Sequence, residues 1–223
     1  MTQQSFLKTS WAAALVSLVL IILATVVALG TEPHAGQEGF EVFADTATYV
    51  ANMAAAGDRL RIVLYIDGLF MMSYTVAIGA ALLAFAQNNR AAAILSGIGI
   101  VAVFLLDAFE NAVMAQSINM VAAGDALEQS RIGFQAMVSA MKWQTASLIL
   151  FSTSFVLPSK TFVEKLLVWG ARLGLPLSVP LFVSNAFGLR TFAGPLMLLS
   201  MGGGFILLAL VTRKRLQMSR TES

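Results

Sequence analysis

The side chains of this sequence that could do chemistry are a few ionisable groups set in otherwise apolar runs: Asp67, Asp107, Glu110 and Lys142, with Arg172 near the end of a further run. Charges inside membrane-length apolar segments are costly and usually turn toward the bundle interior, so each marks a candidate site. Asp107, Glu110, Asn111 and Met114 follow the i, i+3, i+4, i+7 spacing of one helical stripe. Gln135, Ser139 and Lys142 make a similar stripe, and Asp67 shares a helix face with Tyr74. Counted from Gln87, Arg90 and Pro158 at the helical rise, Asp67, Asp107 and Lys142 all sit roughly 24–29 Å along their helices. Asn185 reaches comparable depth on the fifth run. Three helices therefore bring opposite charges to nearly one level.

Two or three carboxylates compete there for a single ammonium. A surplus acid of this kind is what a proton relay, a proton-coupled carrier or a small-ligand site requires. The same residues also suit two plainer roles: an Asp–Lys pair that fixes helix register and never titrates, or a contact with another membrane protein. Either Asp107 or Glu110 can be the partner of Lys142.

The elements that must position these groups are membrane helices. The chain has 223 residues, of which 58% are hydrophobic and only 12% charged, and its mean hydropathy is +0.80. A soluble domain devotes roughly a quarter of its residues to charge. So few charges could not cover a water-facing surface, whereas lipid needs no such cover. Six apolar runs, near 11–30, 60–86, 91–117, 132–157, 166–188 and 192–212, are each about 20 residues or longer, enough to cross a hydrocarbon core as helices. The expected architecture is an all-α integral membrane bundle of about six transmembrane helices, one domain over 1–223. Lys8 before the first run resembles the start of a signal peptide, but about 19 apolar residues exceed the usual core of one, so a retained anchor is expected.

Basic residues set the orientation. Lys8, Arg90, Lys160, Lys165 and Arg213-Lys214-Arg215 fall on one side, whereas the 31–58 connection carries Glu32, Glu38, Glu41, Asp45 and Asp58. Both termini are therefore expected in the cytoplasm, with the acidic loop outside. Arg59, Arg61, Arg131 and Arg190 weaken that bias without reversing it. Within the loop, Phe40, Phe43, Val50 and Met53 recur at helical spacing, with Asp45 or Thr46 able to cap a helix and Gly57 to end it. This predicts a short amphipathic helix along the outer interface, or a lid packed on its neighbours. Gly124 can end the third run, and Asp125 with Glu128 resembles a capping box for the fourth. Pro176 and Pro180 mark the fifth run as kinked or discontinuous. The glycines at 202–204 suit close helix approach.

Several chemistries are set aside. There is no cysteine, and the single histidine, His34, falls in a polar loop, so thiolate sites, a bis-histidine haem and a three-histidine zinc site cannot be built from one chain. No Walker loop and no G-x-S-x-G context occurs. The Gly-x-Gly-Asp context of intramembrane aspartyl proteases is missing at Asp67 and Asp107. Lys142 would repel a hard cation from the acids around it. A net charge of +2 with no basic patch offers nothing to nucleic acid. No catalytic group, cofactor or metal is expected. The partners expected are the lipid bilayer, a small lipophilic or protonatable ligand, and a membrane-protein partner or a second copy of the chain.

One stretch resembles a known family. In FADTATYVANMAAAGDRLRIVLYID, Asp45, Asn52, Arg61 and Asp67 stand at spacings of seven, nine and six. This order resembles an uncharacterised bacterial six-span membrane-protein family, the domain of unknown function 4386 group, as does the plan of six spans with a long first outer loop. The resemblance implies a bacterial cytoplasmic (inner) membrane location and supplies no activity. Asp107 stands where that family is expected to carry a basic residue. Two readings follow: a bundle that binds or moves a small solute, lipid or proton through Asp67, Asp107, Glu110, Asn111, Lys142 and Asn185, or a non-catalytic accessory subunit of a larger membrane complex.

Overall fold

The computed structural model describes residues 2–29 and 36–221; Glu32 and His34 lie outside the described residues. These are all-helical with no strand. The long helices are α1 (Gln3–Leu29), α2 (Thr46–Phe85), α3 (Arg90–Ala123), α4 (Gln129–Thr153), α5 (Phe162–Ser184) and α6 (Arg190–Thr221). Five of them, all but α4, are long and apolar enough to cross a membrane.

Their side chains are sorted as lipid demands. On α1, Ser10, Ala14 and Ser17 are wholly buried while Val19 and Val26 are 62% exposed. In water this arrangement would waste the apolar surface; hydrocarbon solvates it, and the hydroxyls find partners inside. On α4, Gln135, Ser139 and Lys142 are buried while Met137, Met141 and Leu148 face outward.

The chain divides into two compact units, each drawing on α1 to α4. The first comprises Met1–Val19, Met72–Val103 and Trp143–Ser223. In it, Ser10 Oγ donates to the Ala77 carbonyl at 2.8 Å, and the Ser17 and Ser73 hydroxyls lie 2.8 Å apart. Small residues allow close approach at two points: a Cβ on Gly99 would lie 1.8 Å from Ile149 Cδ1, and one on Gly174 would lie 2.8 Å from Ser200 Oγ. A Cβ on Gly202, Gly203 or Gly204 would meet nothing within 4 Å, so the triple glycine is not the tight contact its composition suggested. Helix α5 begins with a complete capping box between Thr161 and Glu164 and runs unbroken through Pro176 and Pro180. Of the two readings of the proline pair, a kink or a break, the break is therefore absent. Arg172 donates to Ser154 Oγ at 3.0 Å, its guanidinium 4.8 Å from the Phe155 ring centroid and 5.3 Å from that of Trp169.

The second unit comprises Leu20–Met71 and Phe104–Lys142. Asp45 starts α2: the Thr48 N–H donates to its Oδ1 at 2.9 Å and holds the carboxyl below its usual range. Gly57, at φ 42° and ψ −124°, breaks α2 between the loop helix and the long run that carries Asp67. The loop helix thus starts at Thr46, behind the expected cap, and Phe40 and Phe43 precede it. Its apolar side is buried within the unit: Tyr49, Met53 and Ala56 pack with Phe40, Leu60, Met114, Ile118, Leu127 and Ile132. The Phe40 and Tyr49 rings meet edge-on, centroids 5.5 Å apart. Phe43 is the exception, 63% exposed.

Helix α3 closes as its sequence implies. Gly124 takes φ 79°, and the Asp125 N–H reaches back to the Met120 carbonyl at 2.9 Å, a Schellman end. The Asp125–Glu128 capping box does not form. Leu127 is buried in the apolar core and draws residues 125–128 out of the helix, so α4 starts at Gln129. The Gln129 side chain ties this turn to the loop, accepting from the Thr46 N–H at 3.1 Å and donating to the Ala44 carbonyl at 2.8 Å.

Candidate functional site

The second unit gathers five of the six residues singled out in the sequence, and adds one. Lys142, from α4, is 5% exposed, and Glu110, from α3, is wholly buried. The Lys142 ammonium contacts Glu110 Oε2, lies 3.2 Å from Asp107 Oδ1, and donates to Glu41 Oε1 at 2.8 Å. Asp107 and Glu110 both pair with the lysine, because one turn of α3 presents them on the stripe that faces α4.

Asp67 joins through an amide relay. Asn111 Nδ2 donates to Asp67 Oδ2 at 2.6 Å, and Asn111 Oδ1 accepts from Gln37 Nε2 at 2.8 Å. The amide is thereby oriented, acceptor toward Gln37 and donor toward the acid. The Ser139 hydroxyl sits between Glu110 Oε1, to which it donates, and the Gln135 carbonyl at 3.0 Å. One turn back, Gln135 is 1% exposed, and neither end of its side-chain amide has a hydrogen-bond partner among the described residues. Buried amides are nearly always partnered, so a fully unpartnered one requires a reason.

Glu41 is the residue that sequence reasoning placed elsewhere. It belongs to the acidic connection expected outside the membrane and was not among the candidate site residues, yet it is 5% exposed and bonded to Lys142. Phe40, buried in the apolar core beside Tyr49 and Met114, anchors the backbone so that its neighbour turns inward. The one local signal is an acid enclosed by apolar residues in Phe40-Glu41-Val42-Phe43.

The sixth residue is Asn185. It lies in the first unit as the C-cap of α5, in the left-handed conformation at φ 51°, where its Oδ1 accepts from the Arg190 N–H at 3.4 Å. Helix α5 ends at Ser184, short of the expected 188.

Four carboxyl groups, Glu41, Asp67, Asp107 and Glu110, thus share one ammonium. Fully ionised, the set would carry three uncompensated negative charges where water is scarce. Opposite charges a few ångströms apart attract strongly there, and like charges repel as strongly. Nearby guanidiniums are engaged elsewhere: Arg61 donates to Asn119 Oδ1 at 2.7 Å, and Arg131 to Ser117 Oγ and Gln116 Oε1, both at 2.9 Å. The arrangement can accept a proton or a small cation, or exchange one for the lysine ammonium. A divalent metal fits poorly, because Lys142 Nζ already occupies the point where the carboxylates converge. Comparison with protein-family models, curated proteins and solved structures finds no match.

Proposed function

We propose that this chain is a multi-pass inner-membrane protein that binds or carries a proton or a small solute at the Glu41–Asp67–Asp107–Glu110–Lys142 cluster. The observation that carries this reading is the charge imbalance: three carboxylates contact one ammonium, and a fourth is tied to them through Asn111. A purely structural pair needs one acid. The unpartnered amide of Gln135, one turn from Ser139, supplies a donor and an acceptor for a ligand beside the acids. The imbalance favours a proton or a cationic solute over an anion.

Helix α4 is read as a sixth span. Its 25 residues would extend about 38 Å. It falls short on apolar composition because its polar stripe serves the cluster, while Phe134, Met137, Met141, Leu148 and Phe151 face outward. The distribution of lysine and arginine supports cytoplasmic termini, and the Asp45, Asn52, Arg61 and Asp67 spacing supports kinship with the domain of unknown function 4386 group.

The test is flux in proteoliposomes. Purified chain, reconstituted with an internal pH-sensitive dye, should dissipate an imposed proton gradient, and Asp107→Asn or Glu110→Gln should abolish this while the protein stays folded. Loss of folding without any flux in the unmodified protein would favour a structural pair. A second polypeptide that purifies reproducibly with an inactive chain would favour the accessory-subunit reading.

A further inference from the structure

The first unit carries an independent feature, an open pocket of about 490 Å³. Its size falls within the roughly 300–1,000 Å³ common for ligand sites. It is built from helix ends: the start of α1, the end of α2, the α4–α5 connection and the end of α6. Phe155 and Met218, 45% and 46% exposed, supply an accessible apolar wall over the buried Leu7, Phe85 and Leu157, and Ser159, Lys160 and Arg215 supply polar and cationic groups.

The charge around it is one-sided. Glu164 is the sole acid among the unit's described residues, against Lys8, Arg90, Lys160, Lys165 and the Arg213-Lys214-Arg215 run, among others. That acid is fully engaged. It accepts from the backbone N–H of Lys160 at 2.8 Å and of Thr161 at 2.9 Å, and from Arg215 Nε at 2.7 Å. Glu164 therefore positions Arg215 and the backbone of Lys160 at the pocket, while no carboxylate among the described residues pairs with the Lys160 ammonium. A ligand that satisfies this pocket carries an anionic group for Lys160 and an apolar body for the Phe155–Met218 wall. Helix ends of a membrane bundle lie at headgroup level, where such molecules are concentrated.

We propose that this pocket binds the headgroup of an anionic phospholipid, its phosphate held by Lys160 and by Arg215 donors not turned to Glu164, its glycerol and upper acyl chain against Phe155 and Met218. A free phosphate ion offers the same charge and leaves the apolar wall unused. The pocket shares no residue with the carboxylate cluster, and its success or failure leaves that reading untouched.

The experiment is native mass spectrometry of the full chain released from phosphatidylcholine nanodiscs containing a minor share of phosphatidylglycerol. The protein should retain phosphatidylglycerol in preference to phosphatidylcholine. Lys160→Ala should lower that preference about fivefold, the effect of one lysine–headgroup contact. Ser159→Trp, which fills the pocket at unchanged charge, should lower it as well. Lys214→Ala, exposed and outside the pocket, should leave it unchanged. Equal losses in Lys160→Ala and Lys214→Ala would show diffuse surface attraction and overturn the proposal. So would full retention in Ser159→Trp. Inorganic phosphate titrated into phosphatidylcholine-only nanodiscs, if it gave a Lys160-dependent adduct, would assign the pocket to a free anion instead.

Discussion

Lys142 Nζ lies 2.8 Å from Glu41 Oε1, a bond between residues 101 positions apart. It closes a group in which the ammonium also contacts Asp107 and Glu110. The connection between α1 and α2 is therefore part of the polar core of its unit, and the behaviour of the cluster depends on that segment staying in place.

Removing the ammonium leaves buried carboxylates with no compensating charge. Lys142→Met should destabilise the protein by about 3–5 kcal/mol, the cost of breaking a buried pair from one side. Adding Glu110→Gln to it should recover part of the loss. Thermal unfolding in a mild detergent reads both; an unchanged midpoint in the single variant would mean that the cluster is not desolvated.

Glu41→Gln keeps the size of the side chain and removes its charge. A hydrogen bond to a charged group contributes about 1.5–3 kcal/mol. Local opening of 36–45 should then increase on the order of tenfold or more. Amide hydrogen exchange followed by mass spectrometry should show faster exchange confined to this segment. Exchange that rises equally throughout the chain would indicate global destabilisation instead.

The glycines separate into tight and open positions. Gly99→Ala should cost about 1–3 kcal/mol, since the new methyl would meet Ile149 Cδ1 at 1.8 Å. Gly203→Ala meets nothing within 4 Å and should be neutral or stabilise by up to about 1 kcal/mol through helix propensity. Melting temperatures of the two variants should move apart; a common shift would contradict the α3–α4 approach at Gly99.

Asp45 predicts a pH dependence. The bond from the Thr48 N–H lowers the carboxyl's folded-state pKa below that of the unfolded chain. A depressed acid contributes stability that is fully present above its unfolded value, about 3.9, and is lost as pH falls through the folded value. The Thr48 amide signal, in a sample labelled at threonine nitrogen, should shift with a midpoint below about 3.9, and Asp45→Asn should abolish the transition. A midpoint at or above the ordinary aspartate value would show that the cap is not formed.

Much of the local structure was legible along the chain. The stripes Asp107–Glu110–Asn111 and Gln135–Ser139–Lys142 could be read because helical periodicity is a local property, and the structure presents both toward one cluster. Gly57 and Gly124 could be read because a backbone position with positive φ favours one residue type, and Asp45 because an N-cap needs a short acceptor. For the proline pair a kink and a break were both open along the chain, and the continuity of α5 excludes the break: a helix held by its neighbours stays continuous through residues that would break an isolated one.

By itself, then, the sequence determined that the chain is helical, that its apolar faces suit lipid, and that acids and a lysine fall on matching helix faces. All of these depend on composition and on periods of a few residues. Tertiary structure alone decided that Lys142 is shared by Glu41, Asp107 and Glu110, that Asp67 enters through Asn111, and that Glu41 faces inward. Those contacts depend on where Phe40 packs among residues from α2, α3 and α4. Packing over such separations balances many weak apolar contacts against chain entropy, and no short pattern in the sequence records that balance.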